Sequence, residues 1–198
     1  MNKLPVISFL ASHGGSSARF LIAAMRSGEL QATPGILITN NRDAAIFHWC
    51  LDQDMPMRHI SSKTHRGEDN ADEAICSVLQ QAGTLLVVCS GFMKPIGPRT
   101  LAAFERRILN IHPALLPKFG GKGMYGDFVH QAVLAAGESL SGATVHIVSA
   151  GIDEGEIVLQ SQVAVASEDT LATLRQKVQT TEPALYLAAI KIFLAEQA

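Results

Sequence analysis

The most chemically suggestive run in the chain is Arg107-Ile108-Leu109-Asn110-Ile111-His112-Pro113, an apolar segment that ends in two polar side chains two positions apart. If the segment is a strand, period-two alternation puts Asn110 and His112 on one face. At the carboxyl end of a strand in an open α/β sheet, that face looks into the crevice where ligands bind. An amide beside an imidazole suits a developing oxyanion, because the amide donates a fixed hydrogen bond and the ring can donate in either charge state. The same two side chains would serve equally as a cap for the loop that follows. A second constellation is Ser12-His13-Gly14-Gly15-Ser16-Ser17, placed between an apolar run and a helical segment. Unpaired N–H groups and the positive end of a helix dipole would favour a phosphate there, and two glycines let the backbone approach it. The glycines do not fall at the offsets of a dinucleotide fingerprint, and no Gly-Lys-Ser/Thr completes a Walker loop. A tight turn with a serine cap fits the same residues. The third is Thr144-Val145-His146-Ile147-Val148, followed by Gly151-Ile152-Asp153-Glu154-Gly155. Glycines on both sides permit bends that would aim Asp153 inward, although an acidic turn is also an ordinary solvated cap.

Alternating strands and helices must position these groups. Pro5–Leu10, Gly35–Thr39, Met57–Ile60 and Thr84–Cys89 read as strands, with helices over Ala18–Arg26, Arg42–Leu51 and Ala71–Gln81. That rhythm predicts a parallel sheet covered on both faces. After Gly91 it changes. Pro95 and Pro98 read as breaks, Arg107–His112 as a strand, Pro113–Gly126 as a long loop, and Phe128–Ala136 as a helix. Strands over Ala143–Val148 and Glu156–Val165 flank the acidic turn, and a last helix runs from Thr170 to about Glu196. Within the loop, Leu116-Pro117 marks a sharp turn and is a candidate cis bond. Loops of that length often carry function. The fold expected is a Rossmann-like three-layer α/β sandwich, with a mostly parallel central sheet, helices on both faces and an antiparallel C-terminal portion.

Composition narrows the class. Of 198 residues 47% are hydrophobic and 17% charged, enough to bury a large core and too apolar for disorder. A formal charge of −2, from 16 Lys+Arg against 18 Asp+Glu, supplies no field for nucleic acid or an anionic membrane surface. Cys50, Cys76 and Cys89 are widely spaced and form no C-x-x-C pair, so they read as reduced and mostly buried thiols. No apolar run reaches the length of a membrane span, and the first residues lack a signal-peptide pattern. One domain over 1–198 is expected, in the cytoplasm, as a monomer or homodimer, without nucleic-acid or membrane partners.

Four segments recur together in one known family. Gly91-Phe92-Met93-Lys94, Leu109-Asn110-Ile111-His112-Pro113-Ala114-Leu115-Leu116-Pro117-Lys118, Thr144-Val145-His146 and Asp153-Glu154-Gly155 resemble those of the phosphoribosylglycinamide formyltransferases, in the same order and at similar spacing. The resemblance extends from the first strand to Gln179-Thr180-Thr181-Glu182. Asn-x-His-Pro-x-Leu-Leu-Pro marks folate-dependent formyltransferases as a group.

The resemblance implies a catalytic trio of Asn110, His112 and Asp153. It implies that Gly14, Gly15, Ser16 and Ser17 hold the phosphate of glycinamide ribonucleotide, that Gly91, Pro113, Gln179 and Glu182 meet its ribose and glycinamide, and that Met93, Lys94, Ile96, Val148 and Ile152 line the folate pocket. The N-terminal half, about 1–90, would then bind phosphate, and the half from about 91 to 198 would bind folate and catalyse. The implied reaction moves a formyl group from 10-formyltetrahydrofolate, as co-substrate, to the amine of glycinamide ribonucleotide in purine synthesis, with no metal. The sequence departs from the family at His13-Gly14-Gly15, where a Gly-Asn-Gly turn is common, and at Ser17, where Asn is common. Phe119–Asp127 matches only a subset of the family, which leaves its ligand contacts open. Rival readings are a formyltransferase acting on an amino sugar nucleotide or methionyl-tRNA, and a non-catalytic nucleotide-binding module.

Overall fold

The computed structural model describes residues 4–197. The elements are β1 (Val6–Ala11), α1 (Ser16–Arg26), β2 (Thr33–Thr39), α2 (Ala45–Asp52), β3 (Met57–His59), α3 (Glu68–Gln81), β4 (Leu86–Cys89), α4 (Pro98–Ala103), β5 (Ile108–His112), α5 (Asp127–Ala135), β6 (Leu140–Ile147), β7 (Ile157–Ala164) and α6 (Leu171–Glu196). The strands form a seven-stranded sheet in the order β3-β2-β1-β4-β5-β6-β7. β1 pairs in parallel with β2 and β4, and β2 with β3, whereas β6 and β7 are antiparallel. This is the mostly parallel sheet with antiparallel C-terminal strands that the sequence predicts. The chain divides into two compact units, parting between Leu109 and Asn110.

In the unit that ends at Leu109, β1 and β4 are apolar and fully buried at Ile7, Phe9, Leu10, Leu86, Val87 and Val88, as strands covered on both faces must be. Buried Ser8 is satisfied there. Its hydroxyl lies 2.7 Å from Thr84 Oγ1 and accepts from the Ile36 N–H at 3.2 Å. Pro98 corrects the sequence reading, since it opens the short helix α4 instead of breaking the chain. A proline at the first helical turn loses only an N–H that has no helical partner. Asp72 on α3 caps that helix from the side, accepting from the N–H groups of Arg99 at 2.8 Å and Thr100 at 3.1 Å. α3 itself begins at Glu68, ahead of the expected Ala71, with Glu68 and Asp69 in the first turn, where acidic side chains suit the helix dipole.

In the unit from Asn110, β6 is longer than expected at its start and ends at Ile147, so Val148 lies just outside it. The core under the hairpin is built from Val129 and Val133 of α5 and from Leu174, Val178, Tyr186 and Ile190 of α6. α6 starts from Thr170, which forms a reciprocal capping box with Thr173, and it carries Pro183 inside. The Leu116–Pro117 bond is cis. Among the described residues, no helix is long and apolar enough to cross a membrane.

Candidate functional site

Asn110 and His112 occupy the last residues of β5, as period-two alternation requires. Asp153 sits in the turn between β6 and β7 with a φ of 58°, in the left-handed region that Asp tolerates better than most residues. A side chain at Gly155 would collide with the Ile147 carbonyl, which explains the glycine at that end of the turn. The bend turns Asp153 inward. Its side chain is 9% exposed and faces two imidazoles, with Oδ2 3.4 Å from His112 Nδ1 and Oδ1 3.5 Å from His146 Nε2. Gly121 donates its N–H to Asp153 Oδ2 at 3.0 Å. The structure therefore brings Asn110, His112 and Asp153 together, and it adds His146, which the Thr144-Val145-His146 motif carries. The signal was present, because Thr144-x-His146 repeats the alternation of Asn110-x-His112.

The hydrogen bonds set the protons. His146 Nδ1 lies 3.1 Å from the Ile147 carbonyl, so it carries the ring proton in the neutral form. Nε2 then accepts from the Asn110 amide at 3.2 Å, fixing which end of that amide is the nitrogen. The amide's second N–H is not committed to this ring. His112 Nε2 lies 2.8 Å from the Phe119 carbonyl and must donate to it. A neutral His112 ring thus presents its Nδ1 lone pair to the Asp153 carboxylate, two acceptors with room for one proton between them. Burial holds the His112 pKa below the ordinary imidazole value, against opposing pulls from Asp153 and the Phe119 carbonyl. For Asp153, burial would raise the pKa, but the facing His146 and His112 rings and the Gly121 N–H together hold it below the usual carboxylate range. Around neutrality the pair is an uncharged ring beside an ionised carboxylate, which is a proton acceptor.

Phe119 and Gly121 lie in the segment that the sequence reading left open. Phe119 has a φ of 56°, which turns its carbonyl toward His112. Val148 is half-buried and Ile152 exposed on the β6–β7 connection, Pro113 is half-buried after β5, and Gln179 is exposed on α6. Glu182, three residues after Gln179 on that helix, is half-buried, and burial pushes its carboxyl up to about 7.

In the unit that ends at Leu109, Gly15 caps α1 with a φ of 59° and no side-chain cap. A Cβ at Gly15 would also stand 2.8 Å from Ile46 Cδ1, so both backbone and space require glycine. Ser16 is exposed and Ser17 is 2% exposed. The Ala18 N–H is already taken by Ser90 Oγ at 3.1 Å. Ser12 links this turn to the next loop of the same unit, donating to Asn40 Oδ1 at 2.6 Å and accepting from the Met93 N–H at 2.8 Å. Gly91 has a φ of 66°, and Met93 and Lys94 are exposed with Ile96 half-buried. Among the described residues, no group of three or more His, Cys, Asp or Glu is arranged to hold a metal ion.

Residues 6–190 match the formyl transferase family. The chain is 34% identical over 192 residues to the chloroplastic phosphoribosylglycinamide formyltransferase of Arabidopsis thaliana, covering 96% of this chain and 66% of that relative, so it spans just under two thirds of that protein's length. It is 33% identical over 187 residues to the phosphoribosylglycinamide formyltransferase of Haemophilus influenzae, covering 94% of this chain and 86% of the relative. Among solved structures, glycinamide ribonucleotide transformylase 1 from Symbiobacterium toebii has a TM-score of 0.90 at 31% identity, over 98% of this chain and 89% of its own.

Proposed function

The chain belongs to the formyl transferase family, and on that premise we propose that it transfers the formyl group of 10-formyltetrahydrofolate to the primary amine of glycinamide ribonucleotide, a step of purine synthesis. The observation that carries this reading is the buried Asp153 carboxylate facing the rings of His112 and His146, with the Asn110 amide held alongside by His146.

The attacking amine adds to the formyl carbon, the new C–N bond forms, and the carbonyl oxygen becomes an oxyanion. The uncommitted Asn110 N–H meets that oxygen, a contribution worth about 3 kcal/mol per donor. The His112 Nε2–H stays on the Phe119 carbonyl, which keeps the Nδ1 lone pair toward Asp153. The proton shed by the amine passes to the His112–Asp153 pair and on to the folate N10, whose bond to the formyl carbon then breaks. Glycinamide ribonucleotide places its phosphate on the N–H groups of Gly14, Gly15, Ser16 and Ser17. In the unit from Asn110, the family resemblance assigns Pro113, Gln179 and Glu182 to the ribose and glycinamide, and Val148 and Ile152 to the folate. In the unit that ends at Leu109, it assigns Gly91 to the ribose and glycinamide, and Met93, Lys94 and Ile96 to the folate. Backbone donors at the phosphate tolerate changes of side chain, which accommodates the departure from the common turn at His13-Gly14-Gly15. The reaction belongs in the cytoplasm.

Steady-state formyl transfer to glycinamide ribonucleotide, measured beside an amino sugar nucleotide and methionyl-tRNA, tests the reading. Glycinamide ribonucleotide is expected to be the preferred acceptor by at least about 100-fold in kcat/KM, the scale of a substrate whose charged groups the site was built to meet. Preference for either rival acceptor would replace the substrate and keep the chemistry.

A further inference from the structure

We propose that Thr144 and Gln160 form a clasp that fixes the segment from Pro113 to Gly121 and so positions His112 and Asp153 for the reaction. The proposal rests on the formyl-transfer reading for its kinetic consequence alone, since the clasp itself is a set of contacts within one compact unit.

Thr144 and Gln160 are paired across the β6–β7 hairpin. The Thr144 hydroxyl is fully buried and uses its whole hydrogen-bonding capacity. It donates to the Ala114 carbonyl at 2.6 Å, and its two lone pairs accept from the Leu116 N–H at 3.1 Å and from Gln160 Nε2 at 2.8 Å. Gln160 reaches in from an otherwise exposed position on the edge strand, and both hydrogens of its amide are spent, one on Thr144 and one on the Leu116 carbonyl at 3.0 Å. The N–H and C=O of Leu116 are therefore both held by side chains, where a neighbouring strand would hold them in a sheet.

From Leu116 the restraint reaches the reacting groups by two short routes. Leu116 is buried, and a Cβ placed at Gly120 would stand 2.5 Å from its Cδ2 and 3.2 Å from Asp153 Cβ, so Gly120 is packed between the clasped leucine and the carboxylate. The same stretch delivers the Phe119 carbonyl to His112 Nε2 and the Gly121 N–H to Asp153 Oδ2. Thr144 and Gln160 direct their side-chain hydrogen bonds to Ala114, Leu116 and each other. They are positioning residues, and the pairing of a β-strand hydroxyl with a cross-strand amide is what makes the loop a fixed platform.

The test uses Thr144→Val, which keeps the shape and removes the hydroxyl, Thr144→Ser, which restores it, and Gln160→Leu, which removes the amide from the exposed side. With glycinamide ribonucleotide and 10-formyltetrahydrofolate, Thr144→Val should lower kcat by about 10- to 100-fold, the cost of misplacing reacting groups by a fraction of an ångström to an ångström. Both KM values should stay within about threefold, and Thr144→Ser should recover most of the rate. Nitrogen-15 spectra of the histidine rings supply a readout free of turnover: the His112 signals should move in Thr144→Val and Gln160→Leu and return in Thr144→Ser. A role in stability alone would lower the unfolding temperature, leave kcat per folded molecule and the His112 signals unchanged, and overturn the proposal. Equal rate loss in Thr144→Ser and Thr144→Val would also overturn it. If Thr144→Val does not fold, Gln160→Leu decides, with the same expected drop in kcat and an unchanged rate counting against the clasp. If the wild-type chain does not formylate glycinamide ribonucleotide, the functional reading fails and the ring signals still report on the clasp.

Discussion

The turn at Gly14 to Ser17 and the turn at Asp153 are both short, both bounded by glycine, and built on opposite principles. At the first, the proposed phosphate site, the donors are backbone N–H groups at the start of α1, where Gly15 supplies no side-chain cap. At the second, one carboxylate is held by the Gly121 N–H and faces two imidazoles, and those rings are fixed by the Phe119 and Ile147 carbonyls and the Asn110 amide. The contrast separates two tasks. A phosphate with its full charge needs only donors and a dipole, whereas a transition state needs groups held in place before charge develops. Substitutions in the first turn should therefore act on affinity, and substitutions around Asp153 on rate.

The largest effect is expected for His112→Ala, which removes the proposed proton acceptor beside Asp153: kcat should fall by about 1,000-fold while KM changes little. A comparable rise in KM with kcat retained would merge the two tasks. Next is Gly15→Val, where a left-handed φ of 59° and the contact with Ile46 both oppose a side chain. The KM for glycinamide ribonucleotide should rise by about 10- to 100-fold as the N–H donors are displaced, and calorimetry with a folate analogue should give an affinity close to wild type. Equal loss of both ligands would show that the turn is a structural element and not a phosphate site.

Glu182 sharpens the contrast through pH. Burial raises its carboxyl to about 7 in the folded chain, against an ordinary value of 4.5. The unfolded chain therefore loses this proton first, and stability falls as pH rises from the ordinary value through about 7. Glu182→Gln removes that loss, so its unfolding temperature should exceed that of wild type by several degrees at about pH 8 and match it at about pH 4, the difference corresponding to about 1–3 kcal/mol. A constant difference across that range would mean that Glu182 is not held protonated by burial. The smallest effect is expected for Glu154→Gln. Glu154 shares the turn of Asp153 but is exposed, and rate and stability should stay within about twofold and about 0.5 kcal/mol of wild type.

Much of the architecture was legible because strand and helix periods are local properties. β5 ends at His112 as expected, and α6 begins at Leu171, one residue after the expected Thr170, which is its cap. α4 was hidden because a proline at a helix start and a proline that breaks a chain look alike until a capping partner such as Asp72 is seen, and Asp72 lies far away in sequence. The motif residues Asn110 and His112 could be paired by spacing. What spacing could not show is that Asp153 and His146 turn toward them, or that Phe119 and Gly121 contribute main-chain groups that carry no side-chain signature. Gln160 was equally silent, since a glutamine in an edge strand reads as solvent-facing.

The most direct test of the central claim, that the Asp153 region sets rate and not affinity, is the single-turnover rate of formyl transfer by Asp153→Asn with both substrates saturating. The account predicts a chemical step slower by about 100-fold or more, the scale of a lost proton-transfer group, with both substrates bound near wild-type affinity and folding intact. An Asp153→Asn protein that is merely less stable and transfers the formyl group at the wild-type rate would contradict it.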